Sequence, residues 1–547
     1  MTERKPEDEF IEDLGLESLE IDESDKAVDF ASQLASESEH GLSFREAMFQ
    51  RYPKAAFWAM AIAMTIVMEG YTTILYSNLL AYPTFAQRYG TYFPDLGKYE
   101  ITTKWQNALG NGQTVGCLVG LTITGTLTER FGHRMVIVGG LVLMIGFNFL
   151  LFFAPNVQVL LAGQILIGLP YGSLSIMGSM YSSEVCPLVL RGFLTSFVNI
   201  CWVTGQLICA GVLQGLVNNH TEWSYRIPFA INWAWPLPLI LLTWFAPESP
   251  YWLIRKGRIR DAEHSLKRLT SNATDKELRN RLAMMVHTDR LEKSFKTESS
   301  FFDCFKGVNL RRTEVACMVL SSQTLCGQPF AYSSTYFLTQ AGLNSSDVYK
   351  LNFGSTALSF VATCISWVIM SYAGRRRMII IGLALLTLDL LVIAILYYPG
   401  VHHDGAVWAE GGLSIIWLGI YSCFLGPVTF AAGAEVSATK LRSQTLAIAR
   451  LSYYLLGIIT GVSETYLINP TAANLQGKTG FIWFGTTFLT TVWAIFRLTE
   501  TKNLTYEELD ILFNERVPAW RFSRDNPLLS GGGIVSLGEH GEKDTDL

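Results

Sequence analysis

Apolar runs of roughly 18 to 25 residues, the length that crosses a bilayer core, recur along this chain between polar joints. Twelve can be counted, here spans 1 to 12: 55–77, 105–127, 135–154, 157–182, 194–216, 228–246, 314–340, 350–372, 377–398, 411–433, 444–467 and 479–498. They fall as six, a polar segment at 247–313, and six more. The pattern predicts an all-α membrane protein with twelve transmembrane helices in two six-helix halves, 53–246 and 314–500. The segment 247–313 reads as a cytosolic linker of short amphipathic helices, such as IRDAEHSLKRLTS at 259–271. Residues 1–52 are rich in acid and Ser, the composition of a disordered tail, with a phosphorylation or ubiquitin-linked control segment as the functional alternative. Residues 501–547 form a second tail.

One joint sets the pattern for the rest. Between spans 4 and 5 stand Glu184, Pro187, Arg191 and Gly192. A carboxylate and a guanidinium at the end of an apolar helix are costly unless paired or wet, so this turn reads as a cytosolic joint. It has a counterpart after span 10, Glu435 with Arg442. The GTLTERFGHR loop after span 2 (Glu129, Arg130, Arg134) is matched after span 8 by Gly374-Arg375-Arg376-Arg377. Span 6 ends in Pro247-Glu248-Ser249-Pro250 and span 12 in Thr499-Glu500-Thr501-Lys502. Matched joints in the same order argue for two parallel halves with a substrate path between them. Lys and Arg gather in these joints and in 247–313, although the loop 78–104 also carries Arg88, Lys98 and Lys104. The positive-inside rule then places both termini and the linker in the cytosol. The sequons at Asn219 and Asn344 fall outside, as candidate glycosylation sites.

Composition agrees. Half of the 547 residues are hydrophobic and 16% are charged, too apolar for an ordinary soluble surface. A net charge of −5 gives no reason to expect nucleic-acid binding. The nine cysteines are scattered without a CxxC pair and read as packing residues. His402-His403-Asp404 is a weak metal-binding trio for which a solvated loop is the plainer reading, and the glycines at 531–533 lack the setting of a phosphate loop. No enzyme, cofactor or metal is expected.

On these joints, in this order and spacing over residues 55–515, the chain resembles the sugar porter family of the major facilitator superfamily. The residues that carry the resemblance include Tyr181-Ser-Ser-Glu184, Pro247-Glu248-Ser249-Pro250-Tyr251-Trp252-Leu253 and Glu500-Thr501-Lys502. Within the family it is most similar to the fungal α-glucoside, maltose-type permeases. The cues are Ser322-Gln323-Thr324-Leu325-Cys326-Gly327, Tyr332 through Phe337, and Glu435 through Arg442. The resemblance implies the major facilitator fold and alternating access. It implies a monomeric plasma-membrane transporter whose partners are a sugar, protons and the lipid bilayer. It also implies that Glu129, Arg130, Glu184 and Arg191 are gating residues, paired across the halves with Glu435, Arg442 and Arg375 to Arg377, and Arg134 belongs to the same loop. The plain alternative is that these charges stop helices and set topology.

Polar residues inside spans are expensive in lipid and therefore face a cavity. Gln206 in span 5 and Gln323 in span 7 match glutamines of the family's sugar site. Tyr332, Tyr336, Asn352 and Trp367 follow on spans 7 and 8, and Asn199 and Trp202 lie near Gln206. Each has a second reading, an interhelical hydrogen bond or helix packing. The chain departs from the family pattern at Thr324, at Pro329 and, where a tryptophan is expected after Gly426-Pro427, at Phe430. A substrate larger than glucose fits those departures.

Glu69 lies deep in span 1 with no cation in that span. A carboxylate there can take up and release a proton, which is the chemistry of proton coupling, and Arg450 in span 11 is a distant counter-charge. Alternatively Tyr71 or Thr72 holds the acid and no proton is carried. The expected function is proton-coupled uptake of an oligosaccharide or glucoside such as maltose. A sugar-sensing receptor on the same fold and an exporter of a secondary metabolite stand beside it.

Overall fold

The computed structural model describes residues 44–522 apart from 95–96, 272–273, 299–300, 341–342, 401–403, 438–440, 470–471, 503 and 505, and omits some side chains within helices, including those of Arg191 and Arg442. The chain divides into two compact units. The first runs to Glu298 and also takes Asn344–Thr356; the second comprises Ser299–Leu343 and Ala357 onward. The division departs from the expected boundaries, since the first turns of span 8 belong with the first unit. There Tyr349 donates its hydroxyl to the Asn78 carbonyl at 2.5 Å and meets the Tyr82 ring edge-on at 5.3 Å.

In the first unit, span 1 is two helices, Pro53–Ala63 and Ile66–Leu79, and Thr65 caps the break by donating to the Ile62 carbonyl at 2.7 Å. Span 2 is Thr103–Phe131, span 3 His133–Phe152, span 4 Val157–Val185 and span 5 Leu188–Leu216. Span 6 breaks before Pro236 into Trp223–Ala234 and Pro236–Phe245. A short antiparallel hairpin in the loop after span 1 pairs Thr91 with Glu100 and Phe93 with Lys98. Glycines set the distances between helices. A methyl group at Gly116 or Gly120 would overlap the carbonyl oxygen of Ile165 or Leu169, and one at Gly172 would overlap that of Cys117. Spans 2 and 4 therefore touch backbone to backbone. Gly70 and Gly205 bring spans 1 and 5 equally close, against the carbonyls of Trp202 and Val67.

The second unit contains Gly307–Leu325, where span 7 begins. The helix stops at Gly327, whose φ of 88° suits a residue without a side chain, and resumes as Gln328–Tyr332 and Ser334–Gln340. Span 8 is Ser345–Tyr372, span 9 Arg375–Gly400, span 11 Arg442–Ile468 and span 12 Thr479–Arg497. Span 10 is Asp404–Phe424 followed by Gly426–Val436. Among the described residues ten helices or helix pairs are long and apolar enough to cross a membrane. The other two predicted spans are present as helices but more polar. Span 2 carries Gln106, Asn107, Asn111 and Gln113, and span 7 starts with Arg311, Arg312 and Glu314.

The linker and the described parts of the tails are more ordered than their composition suggests. Helices Pro250–Arg255, Ile259–Leu269 and Asp275–Glu298 enclose a small core of Leu253, Ile259, Leu266, Leu282 and Met285. The last of them is 24 residues long rather than short. Residues 1–43 of the expected disordered tail lie outside the described residues. Residues 44–51 correct that expectation: they are helical. They are held because Arg281 stacks 4.4 Å over Tyr52 and the Ser271 amide donates to the Arg51 carbonyl at 2.8 Å. The second tail forms Tyr506–Asn514 and a final turn at Ala519–Arg521. None of the nine cysteines forms a disulfide.

Candidate functional site

Each unit carries two polar features, a buried cluster at the middle of its spans and a charged joint at their ends. In the first unit the cluster surrounds Glu69, which is 3% exposed. Its carboxylate lies within electrostatic reach of Cys117 and Tyr171. Thr72 donates to the Glu69 carbonyl at 3.2 Å and accepts from the Gln113 amide at 3.3 Å. Tyr171 approaches Thr72, and Tyr76 approaches Gln164, both outside hydrogen-bond geometry, so hydroxyls and the Gln164 carboxamide keep unused bonding capacity. Gln206 is buried on span 5. Trp202 packs beside the group Ala63, Ile66, Val67 and Cys201, while Asn199 is half-buried one turn earlier.

In the second unit Gln323 is 2% exposed. Tyr421 of span 10 donates its hydroxyl to Gln323 Oε1 at 2.9 Å and lies flat against Trp417, with ring centroids 5.3 Å apart. Gln328 reaches the hydroxyls of Tyr421 and Tyr332, each at 3.4 Å. The carboxamide of Gln323 is thus held by its oxygen, and its amino group remains an unused donor. A buried donor without an acceptor is costly unless something passing through accepts from it. Tyr336 is buried below Tyr332, and Trp367 is half-buried on span 8. Asn352, grouped by sequence with the second half, falls in the first unit. Arg450 stacks 4.6 Å over Phe430, which occupies the place of the expected tryptophan.

The joints repeat atom for atom in much of their design. In the first unit Glu248 accepts from the amides of His133 at 3.0 Å, Arg134 at 3.2 Å and Ser249 at 3.1 Å. In the second, Glu500 accepts from Arg375 at 2.8 Å, Thr501 at 3.1 Å and Lys502 at 3.2 Å. A carboxylate is thereby placed at the amino end of spans 3 and 9, where orphan N–H groups and the helix dipole favour it. Glu184 receives the Ser249 hydroxyl, and Glu435 receives the Thr501 hydroxyl at 2.5 Å. Glu184 is paired with Arg255 at 2.7 Å, and the buried His133 ring lies 3.5 Å from it and 3.6 Å from Glu248. Glu435 is paired with Arg375 at 3.1 Å.

The sequence reading paired these acids across the halves; the partners observed for Glu184 and Glu435 lie in their own units. Arg134 covers Trp244 at 5.3 Å, and Arg376 donates to the carbonyls of Leu498 and Ile495, each at 2.8 Å. Glu129 and Arg130 are exposed; the Glu129 carbonyl accepts from Trp252, and Arg130 lies over Phe131. The side chains of Arg191, Arg442 and Asp404, and residues His402 and His403, lie outside the described residues. At the two sequons, Asn219 accepts from the Thr221 amide and hydroxyl at 3.0 and 2.7 Å, and Asn344 is exposed.

Several residues escaped the sequence reading. In sequence Gln164, Tyr171, Gln328 and Tyr421 do not stand out from the apolar runs around them. The structure also buries three acids, Asp389, Glu410 and Glu464, the last accepting from Trp483 Nε1 at 2.5 Å. A single acid in an apolar run was the signal that singled out Glu69, and it applied equally to these.

A bundle of membrane-spanning helices that keeps amides, hydroxyls and acids away from lipid gives a polar solute somewhere to bind on its way across. The fold and site define a membrane transporter of the major facilitator class. Residues 58–513 match the model of the sugar (and other) transporter family. The chain is 35% identical over 505 residues to the general alpha-glucoside permease of Saccharomyces cerevisiae, covering 91% of this chain and 81% of that one. It is 35% identical over 504 residues to a maltose permease of the same yeast, with the same coverage. The chain belongs to the sugar transporter family. Among solved structures, the proton:xylose symporter XylE bound to 6-bromo-6-deoxy-D-glucose superposes with a TM-score of 0.68 at 18% identity, over 84% of this chain and 100% of that one.

Proposed function

We propose that this protein takes up an oligosaccharide or glucoside such as maltose through the plasma membrane, coupled to protons, as a monomer with both termini in the cytosol. The observation that carries the reading is Gln323, whose carboxamide is oriented by Tyr421 while its amino group stays available to a sugar hydroxyl. Tyr332 and Gln328 extend that polar strip on one side, and Gln206 and Asn199 are the candidate amides of the first unit, taken by itself. Trp202, Tyr336 and Asn352 complete the substrate contacts. Relatives named as α-glucoside and maltose permeases support the substrate class.

Glu69 is the proton carrier in this reading. Its neutral form is the one an apolar interior tolerates, and its ionised form needs a partner. Arg450, on span 11 of the second unit, is the candidate counter-charge. Glu184, Glu435 and the arginines around them act as latches at the inner joints, with Glu129, Arg130, Arg134, Arg191, Arg376 and Arg442 beside them. Each exposed pair is worth about 1 kcal/mol, small enough to break at every turnover. Asn219 and Asn344 carry glycans on the outer side.

The test is uptake of labelled maltose and a panel of glucosides into cells lacking their own sugar transporters, with the external pH followed. Wild type should take up a disaccharide and alkalinise the medium. Glu69→Gln should lose accumulation against a gradient while retaining exchange of sugar already bound. No uptake of any sugar would end the transport reading, and accumulation that survives collapse of the proton gradient would end the coupling.

A further inference from the structure

A cavity of about 440 Å³ opens in the second unit, where the start of span 7 meets the end of span 12 and the turn at Ala519–Arg521. It lies apart from the buried clusters. Its walls include Arg311, Arg497, Arg516, Phe496, Phe513 and Trp520. Arg311 is fixed by donating to the Val517 carbonyl at 3.0 Å and by stacking over Phe513 at 5.5 Å, and its buried Nε has no acceptor. Arg497 pairs with Glu314, which also accepts from Trp493 at 3.1 Å. Three guanidiniums thus line one cavity, and one of them, that of Arg497, is paired with a carboxylate.

Arg516 is the informative residue. It follows the helix Tyr506–Asn514 with a φ of 52°, and the next amide, Val517, closes back on the Leu512 carbonyl at 3.1 Å. That left-handed position at a helix end normally belongs to glycine, because a β-carbon there is strained. A long cation in place of glycine departs from the local rule, and such departures concentrate where function needs them. Around it, Trp520 and Phe496 are 58% and 59% exposed. Aromatic rings beside a ring of cations are what a membrane–water boundary selects.

We propose that this cavity binds a phosphate group, presented by an anionic lipid of the inner leaflet or by a soluble phosphate ester. Guanidinium forks match phosphate oxygens two at a time, and basic pockets between membrane helices on the cytosolic side take lipid headgroups. The proposal rests on the reading that the joints face the cytosol. It is independent of which sugar is carried.

Full-length protein in nanodiscs of phosphatidylcholine, with or without phosphatidylinositol phosphate, would be examined by native mass spectrometry for retained lipid. Melting of the protein in detergent would be followed with inositol trisphosphate and with inorganic phosphate. Arg516→Gly is the main variant, since glycine suits the backbone there and the fold should be kept or improved. Trp520→Ala is the second. Wild type should retain the phosphoinositide about fivefold better than Arg516→Gly, the factor expected for one cation near an anionic headgroup. Retention of the lipid with no melting shift from the soluble compounds identifies the lipid as the source. A melting shift from inositol trisphosphate or inorganic phosphate that Arg516→Gly abolishes identifies a soluble ester. Equal behaviour of wild type and Arg516→Gly in both arms, or no retention and no shift in either, overturns the proposal. Sugar uptake, measured in parallel, reports on the transport reading alone.

Discussion

The charged joints of the two units solve one problem with different cations. In both, a carboxylate from the end of the sixth span of its half caps the helix that begins the third span of that half. In both, the residue after that carboxylate lends a hydroxyl to a second acid, Glu184 or Glu435. The cation differs. In the second unit Arg375 both donates its amide to Glu500 and pairs its side chain with Glu435. In the first unit those two tasks are split. The His133 amide meets Glu248, and the guanidinium comes from Arg255, on the first helix of the linker. The acids and the hydroxyl therefore define the joint, and the cation can be supplied from elsewhere. The linker is thereby wired into the first joint, so a force or a modification acting on the linker reaches Glu184 directly.

The most severe way to break this comparison is to remove the capping acids. Glu248→Ala and Glu500→Ala each strand part-buried amides at a helix start, and each should cost about 2–3 kcal/mol. Loss of surface expression and a lower melting point in detergent would show it. Similar losses would establish that the two joints are equivalent; tolerance of one alone would show that its helix start is satisfied in another way.

A smaller effect is expected at the glycines that let these acids approach. A methyl group at Gly374 would overlap Glu500, and at Gly132, where φ is 85°, it would lie 2.8 Å from Glu248 Oε2. Gly374→Ala and Gly132→Ala should each cost roughly 1–3 kcal/mol, again read by melting. The first acts through contact alone, whereas the second adds backbone strain.

The mildest test separates the cations. Arg255→Ala and Arg375→Ala remove partly exposed partners, worth about 1 kcal/mol each. The fold should survive. Transport rate should change about fivefold if latch strength governs opening, since that energy is about a fivefold shift in an equilibrium. If the linker controls the first joint, deleting its contact through Arg255 should also remove any effect of linker modification, and Arg375→Ala should leave that effect intact.

The joints were legible in the sequence because charged residues in an apolar chain stand out and because they occur twice in order. Glu184, Glu248, Glu435 and Glu500 could be placed at helix ends from that alone. Their partners were not legible. Arg255 reads as one basic residue among many in the linker, and nothing in its neighbourhood marks it as the mate of an acid 71 positions away. The polar cluster around Gln323 was half legible. Gln323 stood out as an amide in a span, but Tyr421, 98 residues further on, looks like any aromatic of a membrane helix until the fold brings it to Gln323. Tyrosine is ambiguous in this setting because its ring packs well and only its hydroxyl betrays a polar task. Gln164 and Tyr171, seven residues apart on span 4, share a face, and that spacing was the unused signal.

The seam of glycines between spans 2 and 4 has an entropic consequence. Where most helices meet through side chains, association freezes rotamers, and that cost grows with temperature. Gly116, Gly120 and Gly172 have no rotamers to freeze. That contact therefore lacks one cost of association that rises with temperature, the side-chain entropy that packing elsewhere must pay.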